Sequence, residues 1–278
     1  MKAIPELFDL TGRVAMVTGG AGLLGEQFCR TLAEAGAAVV IVDLNAEAAQ
    51  NSVEELCGRG LTAITAPADV TLPASVHAAV EATLDRFGRL DILVNSAALD
   101  PKFDPQSQGK SLGNGAFEDF PLDAWKQALD VNLTGAFLCC QAAATAMLIQ
   151  GGGVIINISS MYGIVAPDQR LYVREGEKRD ERRYKPVYYT VTKAGILGLT
   201  SYLAAYYAGK NIRVNALTPG GIFNDHDDEF VKKYAARSVL GRMAEKDEMN
   251  GALLFLVSDA SSYMTGANLV VDGGWSVW

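Results

Sequence analysis

Val14-Ala15-Met16-Val17-Thr18-Gly19-Gly20-Ala21-Gly22-Leu23-Leu24-Gly25 is the stretch that decides the fold of this 278-residue chain. Its first five residues form an apolar run of strand length. A glycine-rich turn follows, and Gly25 to Ala35 carries a helical pattern with Gly36 at its end. Glycines at such a turn let the backbone approach a pyrophosphate, whose charge then sits at the helix N-terminus. A tight strand-to-helix turn without a ligand would use the same residues. The next unit separates the two readings: Ala38 to Val42 is a second apolar strand ending at Asp43, 24 residues after Gly19. A carboxylate there can accept from both hydroxyls of a ribose and would repel a 2′-phosphate, and the adjoining Leu44 is not basic. The unit predicts a dinucleotide site that prefers NAD to NADP.

The same rhythm continues outward. Thr62 to Ala66, Ile92 to Asn95, Val154 to Ile158, Ile212 to Leu217 and Asn268 to Val271 read as further strands. Between them lie helical patterns over Ala46 to Arg59, Pro73 to Phe87, Asp123 (as cap) to Ile149, Tyr188 to Ala208 and Lys246 to Val257. Strands apolar on both faces that alternate with helices predict an α/β fold: a doubly wound parallel sheet of about seven strands with helices on both faces. No Pro/Gly/Ser-rich linker divides the chain, so residues 1–278 read as one domain. Three segments break the pattern: 99–121, the highly charged 167–186, and 223–237. Each follows a strand running the same way, so all three are expected at the carboxyl edge of the sheet, where substrates bind.

Composition excludes several function classes. Net charge is −8 with no basic stripe, which argues against nucleic acid. No stretch approaches 18 uninterrupted apolar residues, and no apolar leader follows a basic start, so a soluble, cytoplasmic protein is expected. Cys29, Cys57, Cys139 and Cys140 have no metal spacing and read as buried free thiols in helices. The two histidines, His77 and His226, have no partner motif, so no metal site is expected. His226-Asp227-Asp228-Glu229 reads as a solvated charge run.

Tyr189 and Lys193, in Tyr189-Thr190-Val191-Thr192-Lys193, lie one helical turn apart on one face. A cation beside a phenol favours the phenolate, which makes the pair a candidate general acid/base. Tyr188 has Thr192 at the same spacing and lacks the cation. Ser160 at the end of the fifth strand and Asn132 within the long helix also admit structural readings, as a turn residue and as a satisfied amide at a kink.

With these residues in view, the chain resembles the short-chain dehydrogenase/reductases along nearly its whole length. Asp69-Val70 resembles the family's adenine-contacting pair, and Asn95-Ser96-Ala97-Ala98 its turn after the fourth strand. Asn157-Ile158-Ser159-Ser160 resembles its fifth-strand motif, and Pro219-Gly220-Gly221-Ile222 its nicotinamide-side loop. The resemblance implies a Rossmann fold with catalytic Asn132, Ser160, Tyr189 and Lys193. It implies cofactor binding by Gly19, Gly22, Leu23, Leu24, Asp43, Leu44, Asp69, Val70, Asn95, Ser96, Ala97, Ile158, Tyr189, Lys193, Pro219, Gly220 and Ile222. Tyr189 would exchange the substrate proton, Ser160 would bond the same oxygen, and Lys193 would lower the tyrosine pKa and hold the ribose. Asn132 would hold a relay water. A homo-oligomer, most often a tetramer, is implied, with a small-molecule substrate and NAD as cofactor.

Three departures bear on function. The glycine turn follows T-G-x-x-G-x-x-G, typical of the branch acting on nucleotide sugars. Asn224 replaces a common Thr. Ser160 and Tyr189 are 29 residues apart, far more than is usual, and the extra residues are charged. This insertion reads either as a solvated excursion or as a lid for a polar substrate. The implied activity is NAD-dependent interconversion of a secondary alcohol and a ketone on a polar small molecule such as a sugar. An NAD-retaining epimerase or dehydratase of an activated sugar is the alternative.

Overall fold

The computed structural model describes residues 2–100, 115–174, 176–178 and 182–278. Portions of two expected substrate loops, at 101–114, 175 and 179–181, lie outside the described residues. Seven strands form one sheet: β1 (Val14–Thr18), β2 (Ala38–Val42), β3 (Ala63–Thr65), β4 (Ile92–Asn95), β5 (Gly153–Ile158), β6 (Ile212–Pro219) and β7 (Asn268–Val271). Their order is β3-β2-β1-β4-β5-β6-β7, every pairing parallel. Val17 pairs with Ile41 on one side and Val94 on the other, so the direction of winding reverses beside β1. A crevice opens at such a reversal, outside the carboxyl ends of the strands.

The strands are apolar throughout because both faces are covered. A short first helix, α1 (Ile4–Phe8), precedes them. Ala15, Val17, Val39 and Ile41 pack with Phe28 and Leu32 of α2 (Leu23–Glu34), with α3 (Ala46–Gly58) and with Leu253 and Leu256. The alternate residues Val14, Met16, Val40 and Val42 face the other way. They meet Val76 and Val80 of α4 (Pro73–Phe87), Cys139 and Cys140, and Leu203. Asn45, not an acid, caps α3 by accepting from the Ala48 N–H at 3.0 Å.

The helix expected over Asp123 to Ile149 is interrupted. It comprises α5 (Leu122–Leu129), a π-helical turn at Asp130–Thr134 and α6 (Gly135–Gln150). Pro121 occupies the N-cap and Asp123 makes no capping bond, which corrects the expected start. The π-turn carries Asn132. Leu122–Gln150 is long and apolar enough to cross a membrane by composition, but more than half of its apolar window is buried in the fold. The remaining long helix is α7 (Val187–Tyr206), entered through Pro186, and the last is α9 (Asn250–Val257), shorter than expected.

Two further differences follow from local chemistry. Cys29, Cys139 and Cys140 are buried, but Cys57 is exposed. The charge run at residue 226 begins a helix: Asp227 accepts from the Phe230 N–H at 3.0 Å and caps α8 (Asp228–Ala235), with Asp228 and Glu229 in its first turn. Acids are favoured there by the helix dipole.

Candidate active site

A cleft of about 960 Å³ runs across the carboxyl ends of the strands. At one end lies the glycine turn. A Cβ on Gly25 would stand 2.0 Å from the Gly19 carbonyl oxygen, so only glycine lets α2 approach the turn. Gly22 differs: within the protein its Cβ would meet only that oxygen, at 3.2 Å, yet the residue lines the cleft and N-caps α2 without a side-chain bond. The first-turn N–H groups of α2 are thereby left for a phosphate. Asp43 turns toward this end and accepts from the Ala21 N–H at 3.1 Å and the Asn45 N–H at 2.9 Å. Leu44 beside it is exposed. Leu23, Leu24, Asp69 and Val70 complete the wall. The Asp69 carboxylate is held below the usual range by two Thr71 hydrogen bonds. These features fit the adenosine and pyrophosphate of a dinucleotide.

The Thr18 hydroxyl accepts from the Ser96 and Ala97 N–H groups, both at 3.2 Å, and so fixes the turn after β4. Ser96, Ala97, Ile158, Pro219, Gly220 and Ile222 all border the cleft. The Asn95 side chain does not. It points into the core, where it donates to Asn157 Oδ1 at 2.8 Å, and Asn157 donates to Thr200 at 3.0 Å. The network ties β4, β5 and α7 together behind the cofactor end.

At the other end Ser160, Tyr189 and Lys193 converge. Ser160 follows β5 directly, and the long helix α7 brings up the other two. Tyr189 and Ser160 line the same stretch of the cleft, while Tyr188 is buried in the core. Lys193 is also buried and donates to the Ile158 carbonyl at 2.8 Å, and Ser159 donates to the Lys193 carbonyl at 2.8 Å. Burial pulls the Lys193 ammonium down to about 8. The phenol is not lowered as the sequence suggested. Burial pushes its pKa well above 10.0, Asp100 adds to this, and the nearby Ser160 opposes it. Lys193 stands 5.8 Å from the centre of the ring.

Asn132 sits behind the cleft. Its carbonyl accepts from the Leu99 N–H at 2.6 Å, and its amide donates to the Leu99 carbonyl at 3.1 Å and to Thr192 at 3.3 Å. The side chain is therefore a clamp on the loop after β4.

The described first part of the charged insertion, residues 168–174, packs against the rest of the fold. Asp168 pairs with Arg170 and Arg237, Arg174 pairs with Asp227 at 3.1 Å, and the Tyr172 and Phe230 rings lie 5.5 Å apart. The insertion and α8 thus close one side of the site together. Tyr234 of α8 accepts from the Gly221 N–H at 2.6 Å and stacks on Trp275 at 4.4 Å, which fastens α8 to the nicotinamide-side loop.

Several cleft residues escaped the sequence reading. Lys185 is buried, its ammonium 4.0 Å from the centre of the Tyr189 ring, and it is paired with Asp100. Lys185 stands four before Tyr189 as Lys193 stands four after, a signal lost within a run of cations. His226 stacks on Phe230 at 5.0 Å, and burial lowers its pKa. Tyr162 and Tyr172 also line the cleft, their hydroxyls 3.1 Å apart.

A glycine turn at a sheet reversal, an acid after the second strand, and Tyr189 beside the buried Ser160 and Lys193 fit a dinucleotide-binding α/β protein built for oxidation and reduction. Comparison with known proteins agrees. The short chain dehydrogenase family model matches residues 13–172, and a second, described as enoyl-(acyl carrier protein) reductase, matches residues 176–276. The D-threitol dehydrogenase of Mycolicibacterium smegmatis is 35% identical over 275 residues, covering 97% of this chain and 95% of that protein. The cis-4-hydroxycyclohexanecarboxylate dehydrogenase of Sinomonas cyclohexanicum is 35% identical over 269 residues, covering 95% and 96%. The solved gluconate 5-dehydrogenase of Burkholderia cenocepacia, in complex with NADP and tartrate, superposes with TM-score 0.85 at 33% identity and covers 99% of this chain and all of that one. The chain belongs to the short-chain dehydrogenase/reductase family, whose members use nicotinamide cofactors.

Proposed function

We propose that this protein is a cytoplasmic, NAD-dependent oxidoreductase that interconverts a secondary alcohol and a ketone on a polar small molecule, a polyol or sugar derivative. The observation that carries the reading is the convergence of Ser160, Tyr189 and Lys193 at one end of a cleft whose other end is the glycine turn and Asp43. Tyr189 takes the proton from the substrate hydroxyl in oxidation and returns it in reduction. Ser160 donates to the same oxygen and steadies the charge that develops there. Lys193 holds the ribose and supplies the neighbouring positive charge. A bound nicotinamide supplies the hydride acceptor or donor, and the protein's share is orientation and proton handling. The Asp43 carboxylate and the exposed, uncharged Leu44 support NAD over NADP. The aromatic and aliphatic side chains exposed on α6 and α7, Phe137, Ile149, Tyr202 and Tyr206, support assembly as a tetramer.

The test is a screen of polyols, sugars and simple secondary alcohols with NAD and with NADP, followed by NADH absorbance. Tyr189→Phe should lose about 10²–10⁴-fold in turnover. Full activity of that variant would overturn the mechanism, and a preference for NADP would overturn the role of Asp43. Conversion of substrate without net NADH would favour a cofactor-retaining epimerase or dehydratase.

A further inference from the structure

We propose that Asp100 and Lys185 form a preorganised acceptor–donor pair that binds the hydroxyl next to the one being oxidised, so that the substrate class is the uncharged vicinal diol. The proposal rests on the dehydrogenase reading above and adds its substrate selectivity.

Two different chain segments build the pair, and each is locked by a side-chain amide. Lys185 precedes Pro186, the N-cap of α7, and a residue before proline is disfavoured in helical backbone, which leaves its N–H and C=O for other partners. Gln169 uses both ends of its amide on it, donating to the Lys185 carbonyl at 3.1 Å and accepting from the Lys185 N–H at 2.9 Å. Asn132 does the same to Leu99, the residue before Asp100. Two amide clamps thus fix the backbone at Lys185 and just before Asp100, whose side chains pair, with the ammonium over the Tyr189 ring. Groups fixed by their supports before a ligand arrives lose little freedom on binding it.

The pair keeps bonding capacity for a ligand. An ammonium has three donors and a carboxylate about four acceptor sites, and their mutual bond uses few of them. A hydroxyl satisfies both, because it donates to the carboxylate and accepts from the ammonium. The reacting oxygen belongs at the Tyr189 hydroxyl, and Lys185 lies 4.0 Å from the centre of that same ring. The hydroxyl one carbon further along a substrate chain therefore falls within reach. Charge argues against an anionic substrate. Asp100, Asp225 and Asp227 all line the cleft, so a carboxylate would have to displace Asp100 and sit among the others.

The probes are 2,3-butanediol and 2-butanol, which differ by the one hydroxyl in question, each assayed with NAD. The wild type should prefer the diol in kcat/KM by about 30-fold or more, as expected for hydrogen bonds to charged groups. Asp100→Asn and Lys185→Met should each shrink that ratio by about 10-fold. Asn at the half-exposed position 100 preserves shape, and thermal melts of both variants identify any loss of fold. A wild-type ratio near one, or a ratio that neither variant changes, would overturn the proposal while leaving the dehydrogenase reading intact. No turnover of any alcohol would overturn both.

Discussion

Lys193 is a cation buried where a cation is costly. Burial lowers its pKa to about 8, Asp100 opposes that shift, and the Lys185 ammonium adds to it. On the proposed mechanism Tyr189 would donate the proton in ketone reduction, and its own pKa is raised by burial. Lys193 is then the group whose titration limits the reaction. We expect kcat/KM for reduction to fall as pH rises through about 8. Lys193→Arg should carry the fall upward by a pH unit or more, whatever its absolute rate, because guanidinium stays charged. A fall that stays in place would assign it to another group. The same shift has a folding consequence. The Lys193 pKa lies below its ordinary value of 10.5, so the unfolded chain binds more protons between about 8 and 10.5, and stability rises with pH across that window. Lys193→Met should remove that rise, as urea melts at the two ends of the window would show.

At the scale of elements, the glycine turn separates fold from function. Gly25→Ala places a methyl 2.0 Å from a backbone oxygen that cannot swing away, so we expect a loss of more than about 3 kcal/mol or outright failure to fold. Gly22→Ala meets the same oxygen at 3.2 Å and should fold, yet lose about 10-fold or more in NADH affinity by fluorescence titration, because its side chain stands where the backbone should meet phosphate. Equal melting losses in the two variants would sink this distinction. The charged insertion makes the complementary case. Asp168 lies well below the ordinary carboxylate range, at about 2, first through its bond to Arg170, and it also holds Arg237. Asp168→Asn should therefore loosen residues 168–174 to limited proteolysis and raise KM with little change in kcat. The difference from wild type is present above about pH 4 and vanishes as pH falls toward 2, where the wild-type carboxyl is protonated too. These elements were not equally legible in the sequence. Strands such as β1, β2 and β4 were readable to the residue because burial on both faces leaves an uninterrupted apolar run. The π-turn at Asn132 was hidden because one extra residue per turn leaves helical composition unchanged. The packing of residues 168–174 was not legible because it comes from partners far along the chain, such as Arg237 and Asp227, while the local composition reads as solvated.

For the whole molecule, what matters is that the cleft borrows from nearly every strand. Gly19 follows β1, Asp43 follows β2, Asp69 comes after β3, Ser96 follows β4, Ser160 comes after β5 and Gly220 follows β6, so a dinucleotide would touch six of the seven strand ends. Those strands are contiguous in the sheet and divide the core into two apolar layers, one on each face. Ligand contacts spread this way cannot be lost by local opening of one loop, and binding should be coupled to global unfolding. A ligand at a hundred times its Kd then adds about 2.7 kcal/mol to the native state, which for a chain of this size is a rise in melting temperature of about 5 °C or more. We expect NADH to produce that rise and NADPH at the same concentration to produce much less, because Asp43 faces the ribose end of the cleft. Asp43→Ala should narrow the gap between the two cofactors. If NADH moved only the protease sensitivity of residues 168–174 and left the melting temperature unchanged, the dinucleotide would be binding the charged insertion and not the sheet edge, and the assignment of the glycine turn would fail with it.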